Sequence, residues 1–475
     1  MLICWASQAI VPVACCAMSA TVAGPLTMPP AHTLGEHVRR TVLLALPVAI
    51  SRWGVLIMVT IAHAMTGHAS TTQQAYFDVG FFPQMVMLVV GMGLMMGVTV
   101  LSAQANGGGH AERCGRIWQV GLIAAVVLSM LFVCVMWWGE ALLRLLGQSA
   151  DIAAGGGAVL WTFAAGVPAI LMFVATSAFL ESIGRVWPGT AVSLTANIVN
   201  GGLCWVLVFG HLGSPAMGAI GAALAITATR WFMLACLLVY TLGMKDGAHY
   251  GVRAPLAGSY QTLVKLLRVG APLALAQVLE STAFAWTTNM AGWLGSASLA
   301  AFYSALNLNA NVFMVGLGIA TATSVRVANA VGRRDQTGVR LAGWTGAGLG
   351  IVVTALIGVA IALWRQPIAF FYSHDPAVQE ITVDALAIVA WLSVVDTVQS
   401  VLAGATRGVA DVIVPTVTQG IAFWGIAVPL AYHLGYAGGY GVNGLFWGLG
   451  ISLIAASLFL ALRFQALTRR VIRPV

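Results

Sequence analysis

Apolar residues fall along this chain in twelve long runs separated by short polar stretches. The runs lie near 41–65, 77–101, 117–139, 155–180, 188–210, 217–242, 268–293, 299–323, 341–364, 381–404, 412–434 and 442–465. About 20 apolar residues suffice to cross a bilayer as a helix. Lipid offers no partner for backbone N–H and C=O groups, so each run is predicted to be a transmembrane helix. Pro47, Pro83, Pro168, Pro272 and Pro429 lie inside runs, where they are tolerated and often mark bends. Two runs carry an acid near the middle: Glu280 in the seventh and Asp396 in the tenth. A central charged residue costs roughly 2.5–3.5 kcal/mol on insertion scales, so these two positions call for an explanation.

Composition agrees with the pattern. The chain has 475 residues, 60% hydrophobic and 8% charged, with a mean hydropathy of +0.92. Soluble domains carry about 25% charged residues. A net charge of +8 would suggest nucleic acid for a soluble protein, but here its distribution reports topology. With the N-terminus in the cytoplasm, 18 of the 22 Lys and Arg residues fall on that side. Arg144 and Arg365 fall opposite, and Arg52 and Arg230 lie within runs. The bias of basic residues to the cytoplasmic side therefore predicts a multi-pass protein of the cell membrane with both termini inside.

The two halves resemble each other. Leu180-x4-Arg185 recurs as Leu402-x4-Arg407, and Ser102-x-Gln104 as Ser324-x-Arg326, both offset by 222. Val90-Gly91-x-Gly93 recurs as Val315-Gly316-x-Gly318, Met65-x-Gly67 as Met290-x-Gly292 and Pro47 as Pro272, all offset by 225. Ordered repetition at one period marks a duplication. The expected fold is an all-α polytopic protein with twelve helices in two six-helix lobes, related by a pseudo-two-fold axis along the membrane normal. Expected boundaries are an N-terminal extension over 1–34, an N-lobe over 35–242, a cytoplasmic loop over 243–266, a C-lobe over 267–466 and a basic tail over 467–475. The first segment lacks a basic start, which weakens a signal-peptide reading; translation from Met18 or Met28 fits at least as well. The seven cysteines show no paired spacing and receive no role.

Intramembrane acids usually face water-filled cavities and mark ion paths. Burial disfavours a charged carboxylate, so Glu280 is expected to exchange a proton, or to ligate a hard cation together with Asp396. Gln277 and Phe284 share the helix face of Glu280 and are expected to supply a hydrogen bond and an aromatic surface for a cation. Ser393, Gln399 and Ser400 place a polar face beside Asp396, and Asn307 and Asn309 offer amide oxygens. His63 is a candidate cavity residue that titrates near neutral pH, against an interfacial or packing role. A salt bridge between Glu181 and Arg185 and a solvated Asp78 are the plain expectations there. Met85, Met87, Met92, Met95 and Met96 read mainly as packing. There is no GxxxxGK phosphate loop, HExxH or GxSxG motif, so no enzyme activity and no cofactor are expected.

The segments GLGIATATSVRVANAVGRRD (Gly316–Asp335), LESTAFAWTTNMAGWLGSASLAA (Leu279–Ala301) and DTVQSVLAGATRGVADVIVPT (Asp396–Thr416), with SAQANGGG and ANIVNGGLCWVLVFG in the first half, resemble the multidrug and toxic compound extrusion (MATE) family across about 35–465. The resemblance implies a cation-coupled antiporter of the bacterial inner membrane that exports organic cations and other amphipathic compounds by alternating access, acting as a monomer without nucleic-acid partners. Glu280 and Asp396 match the family's C-lobe acids, which would also be the ligands if sodium is the coupling ion; Asn307 matches a cavity asparagine. Two departures stand out. The first-helix aspartate of many members is Ala62 here, beside His63, so coupling should rest on the C-lobe pair. A tyrosine of some sodium-driven members is Leu392, which favours protons over sodium. Rival readings are a lipid-linked precursor flippase of related fold, which would need basic residues in its cavity, and a non-transporting receptor.

Overall fold

The computed structural model describes residues 33–255, 259–469 and 474; residues 1–32 of the expected 1–34 extension and most of the basic tail lie outside them. The described chain is built from helices α1 (Leu34–Ala69), α2 (Thr71–Gly107), α3 (Ala111–Trp137), α4 (Gly139–Leu145), α5 (Ala150–Ala164), α6 (Val167–Ser182), α7 (Trp187–Phe209) and α8 (Gly218–Leu242). After the loop come α9 (Ser259–Trp293), α10 (Ser296–Gly332), α11 (Gln336–Leu363), α12 (Arg365–Tyr372), α13 (Pro376–Gly408), α14 (Ile413–Ala437) and α15 (Gly441–Thr468). Eleven of these are single helices long and apolar enough to cross a membrane. The pair α5 and α6, bent by 45° at Ala165–Gly166, makes the twelfth span. Pro168 in the first turn of α6 explains the break, since it supplies no N–H to the preceding turn.

The duplication is visible in detail. Short helices α4 and α12 occupy matching places in the two halves. Thr190 donates to the carbonyl of Pro47 at 2.8 Å, and Thr416 to that of Pro272 at 2.9 Å. Fully buried aromatic rings fill each lobe, Phe163 and Phe179 in the first and Phe302, Phe423 and Phe446 in the second, and one apolar cluster of the first lobe continues into Leu266, Val269 and Leu273 of α9.

Several helices are longer than the bilayer requires. The 37 residues of α2 and of α10 span about 55 Å at 1.5 Å per residue, against a hydrocarbon core of ~30 Å. The C-terminal ends of α2 and α10 lie beside Arg113, Arg116, Arg333 and Arg334, a region called the basic face below. There the lobes touch. Nearer the middle of α2, Gly93 approaches α9 so closely that a Cβ would lie 2.9 Å from the amide nitrogen of Ala274. Gln104 donates to the Gly408 carbonyl at 3.0 Å, and Asn106 to Asn329 Oδ1 at 3.1 Å. Arg326 donates to the His37 carbonyl at 2.9 Å and also binds Thr41 and the His37 ring. Nearer the middle, Trp53 donates to the Asn311 carbonyl at 2.9 Å. Among the described residues no hydrogen bond joins the lobes in their opposite halves. The molecule is sealed at the basic face.

The inter-lobe loop is not a loose linker. Tyr250 and Val252 are buried, Gly115 donates to the Tyr250 carbonyl at 2.8 Å, and Gln119 donates to Val252 and Ala254. The loop is also shorter than expected, because α9 begins at Ser259.

Candidate functional site

Asp396 stands on α13, the central helix of the C-lobe, which packs on α10, α11 and α15. It is 2% exposed. Asn309 of α10 donates to its Oδ2 at 3.2 Å. Its Oδ1 has no partner, and neither do Asn309 Oδ1 or, within three residues of Asp396 along α13, Thr397 Oγ1 and Gln399 Nε2. Orphaned buried polar atoms are rare. Three of these four are oxygens, the donor type a hard monovalent cation or a hydronium requires. Ser393 takes no part, since its hydroxyl bonds back to Val389 of its own helix.

Glu280 stands on α9 and is 8% exposed. Gln419 of α14 approaches its Oε2 at 3.5 Å. Glu280 opens into a small cavity whose lining does not include Asp396. This cavity of about 40 Å³ is lined by Glu280 and Gln277 from α9, by Gln399, Ser400 and Arg407 from α13, by Phe313 from α10 and by Met96 from α2. Asp396 and Arg407 both lie within electrostatic reach of Glu280. A volume near that of one water (~30 Å³) admits a water or a small ion and excludes a drug.

Arg407 is the residue that reading the chain misses. It was expected in a cytoplasmic loop, but it belongs to the last turn of α13. Its Nε donates to Ala403 and its Nη1 lies 3.0 Å from Met96 Sδ. The signal is present in retrospect: positions 396, 400, 403 and 407 follow helical spacing. Phe284, expected to face the cation, instead packs in the C-lobe core with its ring 5.8 Å from that of Phe423, and Phe313 is the aromatic of the cavity. Asn309 rather than Asn307 reaches Asp396. Asn307 is exposed, accepts from Tyr372 at 3.0 Å and lies one turn from Asn311, at the edge of the inter-lobe cleft.

The N-lobe has no equivalent pair of buried acids. His63 Nδ1 lies 2.7 Å from Asp78 Oδ1, and its Nε2 lies 2.9 Å from Gln74 Nε2. Asp78, expected to be solvated, is therefore paired, at a place where both side chains remain nearly half exposed. Exposed ion pairs contribute about 0–1 kcal/mol. His63→Gln is accordingly expected to leave thermal stability within about 1 kcal/mol and drug efflux within about twofold of the parent. A loss of efflux as deep as that of the C-lobe acid variants would move the coupling site to the N-lobe. Glu181 does not pair with Arg185, which binds Asp246 at 2.7 Å across the docked loop. Gly184, with φ of 80°, turns the chain away. Glu181 is buried, accepts weakly from Ser177 and feels Arg52.

Residues 47–206 and 272–433 match the MatE family model. The chain belongs to the MATE family. The two matched blocks begin 225 residues apart, the same offset as the repeated prolines. It is 33% identical over 434 residues to the probable multidrug resistance protein NorM of Caulobacter vibrioides, covering 90% of this chain and 91% of that one. It is 28% identical over 445 residues to multidrug resistance protein NorM of Vibrio cholerae, covering 92% and 97%. Among solved structures, a eukaryotic MATE transporter superposes with a TM-score of 0.82 at 20% identity, covering 92% of this chain and 98% of that one. An outward-facing multidrug resistance MATE transporter does so with 0.84 at 18%, covering 91% and 97%. The MATE fold of two six-helix lobes thus accounts for every described span.

Proposed function

We propose that this MATE protein is a cation-coupled antiporter that exports organic cations and other amphipathic drugs across the bacterial inner membrane. Its similarity to NorM multidrug resistance proteins supports the substrate class. The observation that carries the coupling is charge balance around Glu280, which both Asp396 and Arg407 influence electrostatically. Glu280 and Asp396 bring two potential negative charges, and Arg407 brings one positive charge. An uncompensated charge inside a membrane protein is costly, so one further cation, a proton or sodium, completes the set. A proton would reside on a carboxyl oxygen, and sodium would be held by the oxygens of Asp396, Asn309 and Thr397.

The bias of basic residues to the cytoplasmic side assigns the sealed basic face to the cytoplasm and the open half to the outside. Cation entry from outside then favours one arrangement of the lobes and drug binding from inside the other, which is all that coupling requires. The drug binds in the cleft between lobes, because the acid-lined cavity is too small for it. A flippase would present free basic residues to a phosphate in the cleft. Arg230 instead lies buried over the Phe163 ring at 5.5 Å with Gln84 as its amide partner, which favours the antiporter.

Proteoliposomes containing the purified protein should move a fluorescent organic cation when a proton gradient is imposed, and again in a separate trial with a sodium gradient alone if sodium serves. Movement under the proton gradient only assigns protons. No movement under either gradient, with lipid scrambling observed instead, would favour the flippase.

A further inference from the structure

Beyond the acid-lined cavity, a space of about 780 Å³ lies at the basic face, lined by residues of both lobes. The N-lobe contributes His110, Arg113 and Arg116 from the turn and first helical residues after α2. The C-lobe contributes Lys265 from the start of α9, and Arg333 with Arg334 from the turn after α10. Among the described residues, no aspartate or glutamate lines it. Glu112 is exposed and lies outside the lining, and Asp335 is engaged in capping α11 through Gly338.

Among the described residues, no ion pair involves Arg113, Arg116, Lys265 or Arg334. The Nε of Arg116 is buried with no hydrogen-bond partner. Arg334 holds φ of 57°, a left-handed conformation that glycine adopts freely and arginine does not. Cations gathered from two bodies repel each other, so the arrangement calls for a counter-anion. The cavity's charge also excludes it as a seat for an organic cation.

We propose that this cavity is a phosphate-binding site that bridges the lobes and favours their contact at the basic face. Guanidinium groups bind phosphate oxygens in pairs with fixed geometry. The space is several times larger than one phosphate, and Leu101 and Ile117 give it an apolar wall, so a phospholipid headgroup fits as well as a free phosphate. In either case the anion neutralises N-lobe and C-lobe cations together. It therefore binds the sealed arrangement better than the open one and shifts the population toward it. This inference does not rest on the drug or on the coupling ion.

The test uses the full-length protein in nanodiscs of phosphatidylcholine, spin-labelled at exposed positions Arg39→Cys and Arg340→Cys after replacement of the native cysteines. One arm adds inorganic phosphate at constant ionic strength against chloride. The other replaces part of the phosphatidylcholine with phosphatidylglycerol. A rise in the short-distance population and in melting temperature is expected in at least one arm: response to phosphate alone assigns the free anion, and response to phosphatidylglycerol alone assigns the lipid. The Arg113→Gln/Arg116→Gln/Lys265→Gln variant should need at least about tenfold more of the active anion for the same response. Arg469→Gln, outside the cavity, should respond like the parent. Arg334→Gly keeps the comparison informative if the triple variant does not fold: it should melt no lower than the parent without anion, yet respond more weakly to it. No response by the parent in either arm, or a full response by both cavity variants, overturns the site.

Discussion

Glu280→Gln and Asp396→Asn should each remove cation-driven drug efflux while membrane abundance stays at the level of the parent. Each substitution keeps the side chain's shape and its hydrogen-bonding capacity, but it leaves one acid to balance Arg407. The lobe is then neutral without a further cation, so cation binding no longer discriminates between arrangements. Coupling energies of about 1–3 kcal/mol correspond to about 5- to 150-fold, and efflux driven by the gradient should fall by that order. Removing one buried charge from a set with an excess carboxylate should not destabilise the fold. The double variant behaves differently, because Arg407 is then left unpaired, and it is expected to lose roughly 1–3 kcal/mol of stability. Resistance measured in cells, beside melting of the purified variants, checks both parts. Full resistance in both single variants would sink the assignment.

Gly107→Val should hold the lobes apart at the basic face. A Cβ on Gly107 would lie 2.7 Å from the carbonyl carbon of Asn329, which is backbone of the opposite lobe and cannot rotate away. The same spot carries the Asn106–Asn329 and Gln104–Gly408 hydrogen bonds. Overpacking of this sort costs about 1–3 kcal/mol, and every 1.4 kcal/mol is tenfold in population. The sealed arrangement should therefore lose about one to two orders of magnitude, with transport lost alongside. Distance distributions between labels at positions 39 and 340 report the change. Gly202→Val is the control, since nothing lies within 4 Å of a Cβ there. An unchanged distribution together with intact transport in Gly107→Val would show that the contact is not a seal.

Membrane spans were legible because lipid enforces a simple rule: an apolar run of sufficient length becomes a helix with its backbone satisfied internally. The duplication was legible for a related reason, since Pro47 and Pro272 need the same local support and receive it from Thr190 and Thr416. The acids were legible through their cost. What surrounds them was less so. Arg407 read as a loop residue because hydropathy falls at a helix end, although α13 continues through it. Phe284 shares the face of Glu280 by spacing, yet a helix face is wide enough to turn one side chain to a cavity and the next into the core.

The chain by itself thus determined a twelve-span, duplicated membrane protein with two costly acids in its second half, because transfer to lipid acts on each segment independently of its neighbours. Tertiary structure decided that Asn309 and not Asn307 meets Asp396, that Arg407 shares the cavity of Glu280, and that ten or so separate cations and amides gather where the lobes close. Those are relations between helices distant in sequence. They depend on rotation and register about each helix axis, which packing of glycine and small residues between helices sets and local pattern does not.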